Sequence, residues 1–348
     1  MPSGPLSIPV VDAPIIPRVR CAPFREATGA DPIGSAGGYD GFLVVDVPLP
    51  WEAEVTSQDP IRSVVDGPSG SVVAGDGSRW RPLARVPDPA LVDAGSRRVT
   101  EHRVRTATVD GVELRGPFET REWVVAEDRV VALGRALLGL DPVDGHEPAG
   151  ADELAAWSVP AGVELLVCTH GRRDQCCGSL GTSMFEHLDD AFSASGAAVD
   201  AQRISHTGGH RFAPTAITFP DGYAWAHLDV ETCDLLVRRA APPERFASRC
   251  RGSSLMSGAP QQAADRAALV EVGWEWADAA RGVQLVDFDR STMTTTVRIT
   301  GLPADGSLRS FDVTTTPDHL VPSPTCGIVE GPEYSTDTVW RVDEVRAV

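Results

Sequence analysis

Three cysteines and two histidines crowd the middle of this chain: Cys168, Cys176, Cys177, His206 and His210. Their surroundings read as a β-α-β unit. Residues 163–167 are a short apolar run typical of a buried strand, and it ends at Cys168. A polar loop carrying Cys177 and Gly178 follows. Residues 182–195 then place Met184, Phe185, Leu188, Ala191 and Phe192 on one helical face. Residues 199–204 are a second strand, leading to His206-Thr207-Gly208-Gly209-His210. In such a unit the strands are parallel and their C-terminal ends lie side by side. Ligands of open α/β sheets bind beyond those ends. Cys168, Cys177, His206 and His210 can therefore meet at one edge of a sheet. That expectation commits the chain to the α/β class, α+β when taken as a whole.

The residue types narrow the chemistry. Soft thiolates combined with imidazoles suit an iron–sulfur cluster or zinc. Gly208 and Gly209 allow positive φ and close backbone approach, so a short loop can wrap an inorganic core. Spacing alone does not separate Cys177 from its neighbour Cys176.

The unit continues beyond the histidines. Pro214 precedes a third strand at 215–219, residues 220–222 (PDG) are a turn, 223–228 a fourth strand and 229–239 a closing helix. Upstream, residues 1–38 read as an extended, Pro/Gly-rich segment. Residues 39–150 read as a mixed α/β domain, with a strand at 42–47, a hairpin over 104–114 around Asp110-Gly111, a strand at 122–126 and a helix at 128–140. A polar stretch at 141–155 marks a boundary before the motif-bearing domain, 156–250. A linker-like stretch at 251–260 leads to a region spanning 261–348, with a helix at 261–280 and β-rich sequence after it.

Composition removes several classes. The net charge is −18, and all the basic residues are arginine. Such a surface argues against a general nucleic-acid binder or a membrane-surface protein. No run of eighteen apolar residues and no basic-then-apolar leader is present, so the expected location is cytoplasmic. Seven cysteines are an odd number in a chain of 348 residues, unlike a disulfide-stapled secreted scaffold.

The segments CTHGRRDQCCG, at 168–178, and HTGGHRFAPTAITFPDGYAWAHLD, at 206–229, resemble the sucrase/ferredoxin-like family. Weaker echoes are PWEAEV at 50–55 and PTCG at 324–327. The resemblance implies a thioredoxin-like ferredoxin domain, flanked by the mixed N-terminal domain and the small C-terminal region. It implies a [2Fe–2S] cluster held by Cys168, Cys177, His206 and His210, with eight residues between the two cysteines selecting Cys177. It also implies a cis peptide at Pro214. Both thiolates would bind the inner iron and both imidazoles the outer one. An oxidised core with two positive charges is then neutral overall, so it takes up an electron more readily than an all-cysteine site. A titrating second imidazole nitrogen would couple that electron to a proton. The implied role is a redox carrier rather than a stand-alone enzyme, served by a reductase as electron donor and by an unnamed acceptor.

Two rival readings stand beside it. A Cys2His2 set also suits zinc in a binding module without redox role. A thioredoxin-like thiol reductase would use Cys168 with Cys176 or Cys177, against the usual C-x-x-C spacing. Of the remaining residues, Arg172, Arg173 and Asp174 read as a salt-bridged brace or as charge that raises the potential. His170 reads as a surface or hydrogen-bonding residue. His187 and His227 lack ligand spacing. Cys21, Cys233, Cys250 and Cys326 read as small buried apolar residues, and Trp274 and Trp276 as packing.

Overall fold

The β-branched run Gly41–Asp46 is buried at every position and lies at the centre of one continuous sheet. The computed structural model describes residues 8–9, 19–67, 69–160, 162–327 and 335–348. Among these the sheet has fourteen strands. From one edge it runs Cys250–Ser253, Tyr223–Trp225, Ala216–Phe219, Val163–Cys168, Val199–Ile204, Arg79–Arg85, Gly41–Asp46, Ser96–Val109, Val112–Ala126, Ala280–Asp289, Thr294–Leu302, Arg309–Ser323 and Ser335–Ala347. Val72–Val73 pairs with Arg79–Arg85. The chain is an α/β protein. Side chains of Gly41–Asp46 alternate between two cores, Phe42 and Val44 on one face and Leu43 and Val45 on the other. The first core reaches from Ile33 to Val313 and so joins all three parts of the chain.

The central unit follows its sequence pattern closely. Val163–Cys168 and Val199–Ile204 are parallel, with Cys168 beside Ile204. Ala216–Phe219 lies antiparallel on the other side of Val163–Cys168, and Tyr223–Trp225 pairs with it. Asp229 caps the closing helix Val230–Val237 by accepting from the Thr232 N–H. The Ala213–Pro214 peptide is cis.

Several elements differ from the sequence pattern. The helix expected over 182–195 is two pieces, Thr182–Phe185 and Leu188–Ser195, preceded by a π-type turn at Cys177–Gly181. His187 causes the break. Its Nδ1 takes the Ser183 carbonyl at 2.9 Å, while its backbone N–H turns to Met184 instead. Asp189 and Asp190 favour a fresh helix start just after it. The hairpin around Asp110-Gly111 is far longer than 104–114, with arms Ser96–Val109 and Val112–Ala126. Cross-strand pairing carries residues whose own pattern is weak. The stretch read as linker opens inside the strand Cys250–Ser253, where Arg251 to Ser254 are all buried. Within residues 1–38, Cys21–Ala27 is a helix, and 1–7 and 10–18 lie outside the described residues.

The central unit joins the N-terminal strands through one register pair, Arg85↔Ile204. Side chains reinforce that narrow seam. Arg85 donates to Asp46 at 2.6 Å, to Thr100 at 2.9 Å and to Gln202 at 3.1 Å. Gln202 in turn donates to Glu164 at 3.3 Å. Burial, together with the charges of Asp200 and Glu122, pushes the Glu164 carboxyl up to about 7. The folded chain therefore holds a proton that the unfolded chain releases from about pH 4.5 upward, so this group costs stability as pH rises from 4.5 to 7. Glu164→Gln is expected to move the urea midpoint upward at pH 8, by an amount worth about 1–3 kcal/mol. At pH 5 the two proteins should unfold at nearly the same urea concentration. An equal shift at both pH values would show that Glu164 does not titrate in this way.

Candidate metal centre

Cys168 ends its strand with its backbone N–H on the Thr215 carbonyl at 3.0 Å, which fixes where its thiol emerges. Cys177 opens the π-type turn that follows the loop. Gly178 lets that turn approach the loop, because a Cβ there would lie 2.4 Å from the Gly171 Cα. His206 enters from the end of the second strand. The ligand atoms of Cys168, Cys177 and His206 lie within 4.8 Å of one another. Cys168 Sγ is 3.9 Å from His206 Nδ1. Both thiols are fully buried, whereas His206 is half-buried. The Cys177 thiol beside it and the His206 ring favour the Cys168 thiolate and hold it well below the usual thiol range. The same contact with Cys168, together with burial, pushes the Cys177 thiol up.

His210 stands slightly apart. Its ring centroid is 5.9 Å from that of His206. Its Nδ1 faces Asp174 Oδ2 at 3.1 Å and Cys21 Sγ at 3.4 Å. Burial works against ionisation of Asp174, but hydrogen bonds from His210 and the Cys176 N–H prevail and hold the carboxyl well below its usual range. A carboxylate on Nδ1 fixes the tautomer and leaves Nε2 as the nitrogen free to act as a ligand. Cys176 stands outside the group formed by Cys168, Cys177 and His206. Its sulfur lies 3.3 Å from that of Cys326.

The loop is held by residues that local sequence reading undervalued. His170 is buried rather than exposed. Its Nε2–H donates to the Glu52 carbonyl at 2.8 Å, and its Nδ1 accepts from the His206 N–H at 3.3 Å. Trp51 packs edge-on against the same ring. Arg172 and Arg173 pair with Glu52 at 2.9 Å and Glu54 at 3.4 Å. PWEAEV thus buttresses the ligand loop, which gives that sequence echo a physical role. Asp174 takes no part in the arginine brace. Arg251 lies fully buried under the histidine loop, donating to the Gly208 carbonyl at 3.1 Å and to Ser35. Burial, with Arg211 nearby, lowers its guanidinium to about 10, so it remains a cation at neutral pH. Gly209 has φ of 73°, and a Cβ there would lie 2.3 Å from Arg251 Nη2. Only glycine fits that turn.

Cys21 and Cys326 correct the reading of isolated apolar cysteines. With Asp174 and Cys176 they form a second group whose ligand atoms also lie within 4.8 Å of one another. Cys233 and Cys250 are buried as that reading expects, and burial raises both thiols, Cys250 to about 12. Trp276 is buried and donates to Asp265 at 3.0 Å. No helix among the described residues is long and apolar enough to cross a membrane.

A family model described as sucrase/ferredoxin-like matches residues 32–252. The match covers the central unit, the buttressing 50–55 segment and Arg251. No curated protein and no solved structure matches the chain.

Proposed function

The chain belongs to the sucrase/ferredoxin-like family, and on that premise we propose that it is an electron-transfer protein carrying a [2Fe–2S] cluster on Cys168, Cys177, His206 and His210. The observation that carries the proposal is the donor arrangement: two fully buried thiols beneath two imidazoles at a partly exposed rim. The β-α-β unit, the following hairpin and the cis Ala213–Pro214 peptide support a thioredoxin-like reading of the domain. The donor types suit a [2Fe–2S] core, and the positive φ of Gly208 and Gly209 lets the histidine loop turn tightly over Arg251. When bound, the cluster supplies a one-electron couple. Cys168 and Cys177 would hold it from the buried side. His206 and His210 would hold it at the partly exposed rim that a redox partner can approach. His170 and the Arg81 side chain, which donates to the His206 carbonyl, keep the His206 loop in place. Arg251 contributes a buried positive charge that favours the reduced state. Asp174 orients His210 as a hydrogen-bond acceptor on its Nδ1. A reductase would deliver the electron, and an acceptor protein would take it up.

A single zinc ion is the second reading. It is favoured by the 3.9 Å between Cys168 Sγ and His206 Nδ1, which suits donors on one tetrahedral ion. A thiol reductase is disfavoured, because its nucleophile has to be reached and Cys168 is fully buried. Analysis of anaerobically purified protein decides. Two iron and two acid-labile sulfides per chain, with visible absorption and an EPR signal on reduction, are expected. Zinc without sulfide in a colourless protein would establish the second reading instead.

A further inference from the structure

Cys21, Cys176 and Cys326 come from the N-terminal helix, the ligand loop and the segment after Arg309–Ser323, with 305 residues separating the first and last. Cys21 and Cys326 place their sulfurs 3.3 Å apart, as do Cys176 and Cys326. Asp174 Oδ1 lies 3.5 Å from the Cys21 sulfur and 3.4 Å from that of Cys326. Asp174 Oδ2 is also 3.5 Å from Cys21 Sγ.

We propose that Cys21, Cys176, Cys326 and Asp174 form a second metal site, separate from the centre at Cys168, Cys177 and His206, that binds one zinc ion. The edges of the group carry the argument. A tetrahedral zinc with Zn–S near 2.3 Å and Zn–O near 2.1 Å separates two sulfurs by about 3.8 Å and a sulfur from an oxygen by about 3.6 Å. The edges from Cys21 and Cys326 to Asp174 match that figure, the two 3.3 Å sulfur–sulfur edges need about half an ångström of outward movement, and the remaining edges lie within 4.8 Å. Three soft thiolates with one carboxylate suit zinc better than a hard cation. A disulfide would use two of the thiols and leave the third and Asp174 without a role. The Arg20 guanidinium, which donates to Ser179, feels the charge of Cys176, Cys326 and Cys21 and offsets part of the negative charge that three thiolates and a carboxylate bring to one ion. Asp174 Oδ2 stays on His210 Nδ1, the carboxylate–histidine arrangement common around metal ligands. The ion would fasten both distant segments to the loop that carries Cys177.

Metal analysis of the full chain tests this, and it separates the two centres. Wild-type protein is expected to hold one zinc per chain that survives Cys168→Ser, a change that removes iron. Cys21→Ser/Cys326→Ser should lose that zinc, and the three wild-type thiols should resist alkylation until a chelator is added. X-ray absorption at the zinc edge of the wild-type protein avoids any folding defect of the variants, and it should show three sulfurs and one oxygen. Zinc that is absent from the wild-type protein, or bound without sulfur, would overturn the proposal. So would a wild-type mass two daltons below that of the reduced protein, which would signal a disulfide in place of the metal.

Discussion

His206→Cys and His210→Cys should each retain a cluster and lower its midpoint potential by an amount on the order of 100–300 mV. The cause is charge. Two thiolates and two neutral imidazoles leave an oxidised core neutral, and a third thiolate makes it singly negative, so the added electron meets repulsion in a medium that screens poorly. The two substitutions need not act equally. Nδ1 of His210 is engaged by Asp174 and Cys21, and only its other nitrogen is free for iron. Potentiometric titration of both variants beside the wild-type protein reads the effect directly. An unchanged potential in one variant would remove that histidine from the ligand set, and a colourless wild-type protein would remove the whole scheme.

Asp265→Ala should destabilise the chain by about 3–5 kcal/mol, the cost of leaving a buried charge without its partner. Arg281 and Asp265 are both fully buried, with Arg281 Nη1 3.2 Å from each carboxylate oxygen. Arg281 also donates to the Asp221 carbonyl at 3.2 Å and to the Tyr223 hydroxyl. Asp265 further accepts from Trp276. The pair therefore clamps the helix Ala259–Val272 and the strand Ala280–Asp289 onto the hairpin turn of the central unit. Urea unfolding followed by tryptophan fluorescence measures the loss. The double replacement Asp265→Leu/Arg281→Met should recover most of it, because no uncompensated charge remains. If the single variant unfolds at the wild-type urea concentration, the clamp contributes nothing.

Local pattern carried the central unit and the regular elements on either side of it, among them Gly41–Asp46, Val130–Leu137, Ala259–Val272 and the strands that follow; it missed where elements break, how far they extend and which distant residues meet. The strand ending at Cys168 was legible as a short apolar run bounded by a polar loop, and 199–204 by its β-branched ends and its place after an amphipathic helix. The break at His187 was not, since it depends on a side chain competing for one carbonyl. Arg251 looked like linker because its surroundings are polar in sequence, while its burial comes from the strand pairing with Tyr223–Trp225. Of the site itself, Cys168 and His206 were legible from loop position, whereas Cys177 was told from Cys176 only by the family resemblance. Their meeting with one another follows from parallel strand ends. The approach of Cys21 to Cys326 has no local signal at all. Cys21 sits in a proline-rich segment without periodicity, and only the PTCG echo around Cys326 hinted that this cysteine differs from Cys233 or Cys250.

The distance along the chain between Cys21 and Cys326 bears on when the second group can exist. During synthesis Cys21 emerges before the ligand loop, and that loop can fold around Val163–Cys168 long before Cys326 has left the ribosome. A chain cut short ahead of Cys326 would keep the donors at Cys168, Cys177 and His206 yet lack one corner of the neighbouring thiol triangle. Assembly of that triangle thus reports that translation has passed Cys326, and it distinguishes such chains from fragments that share the ligand loop but lack that cysteine.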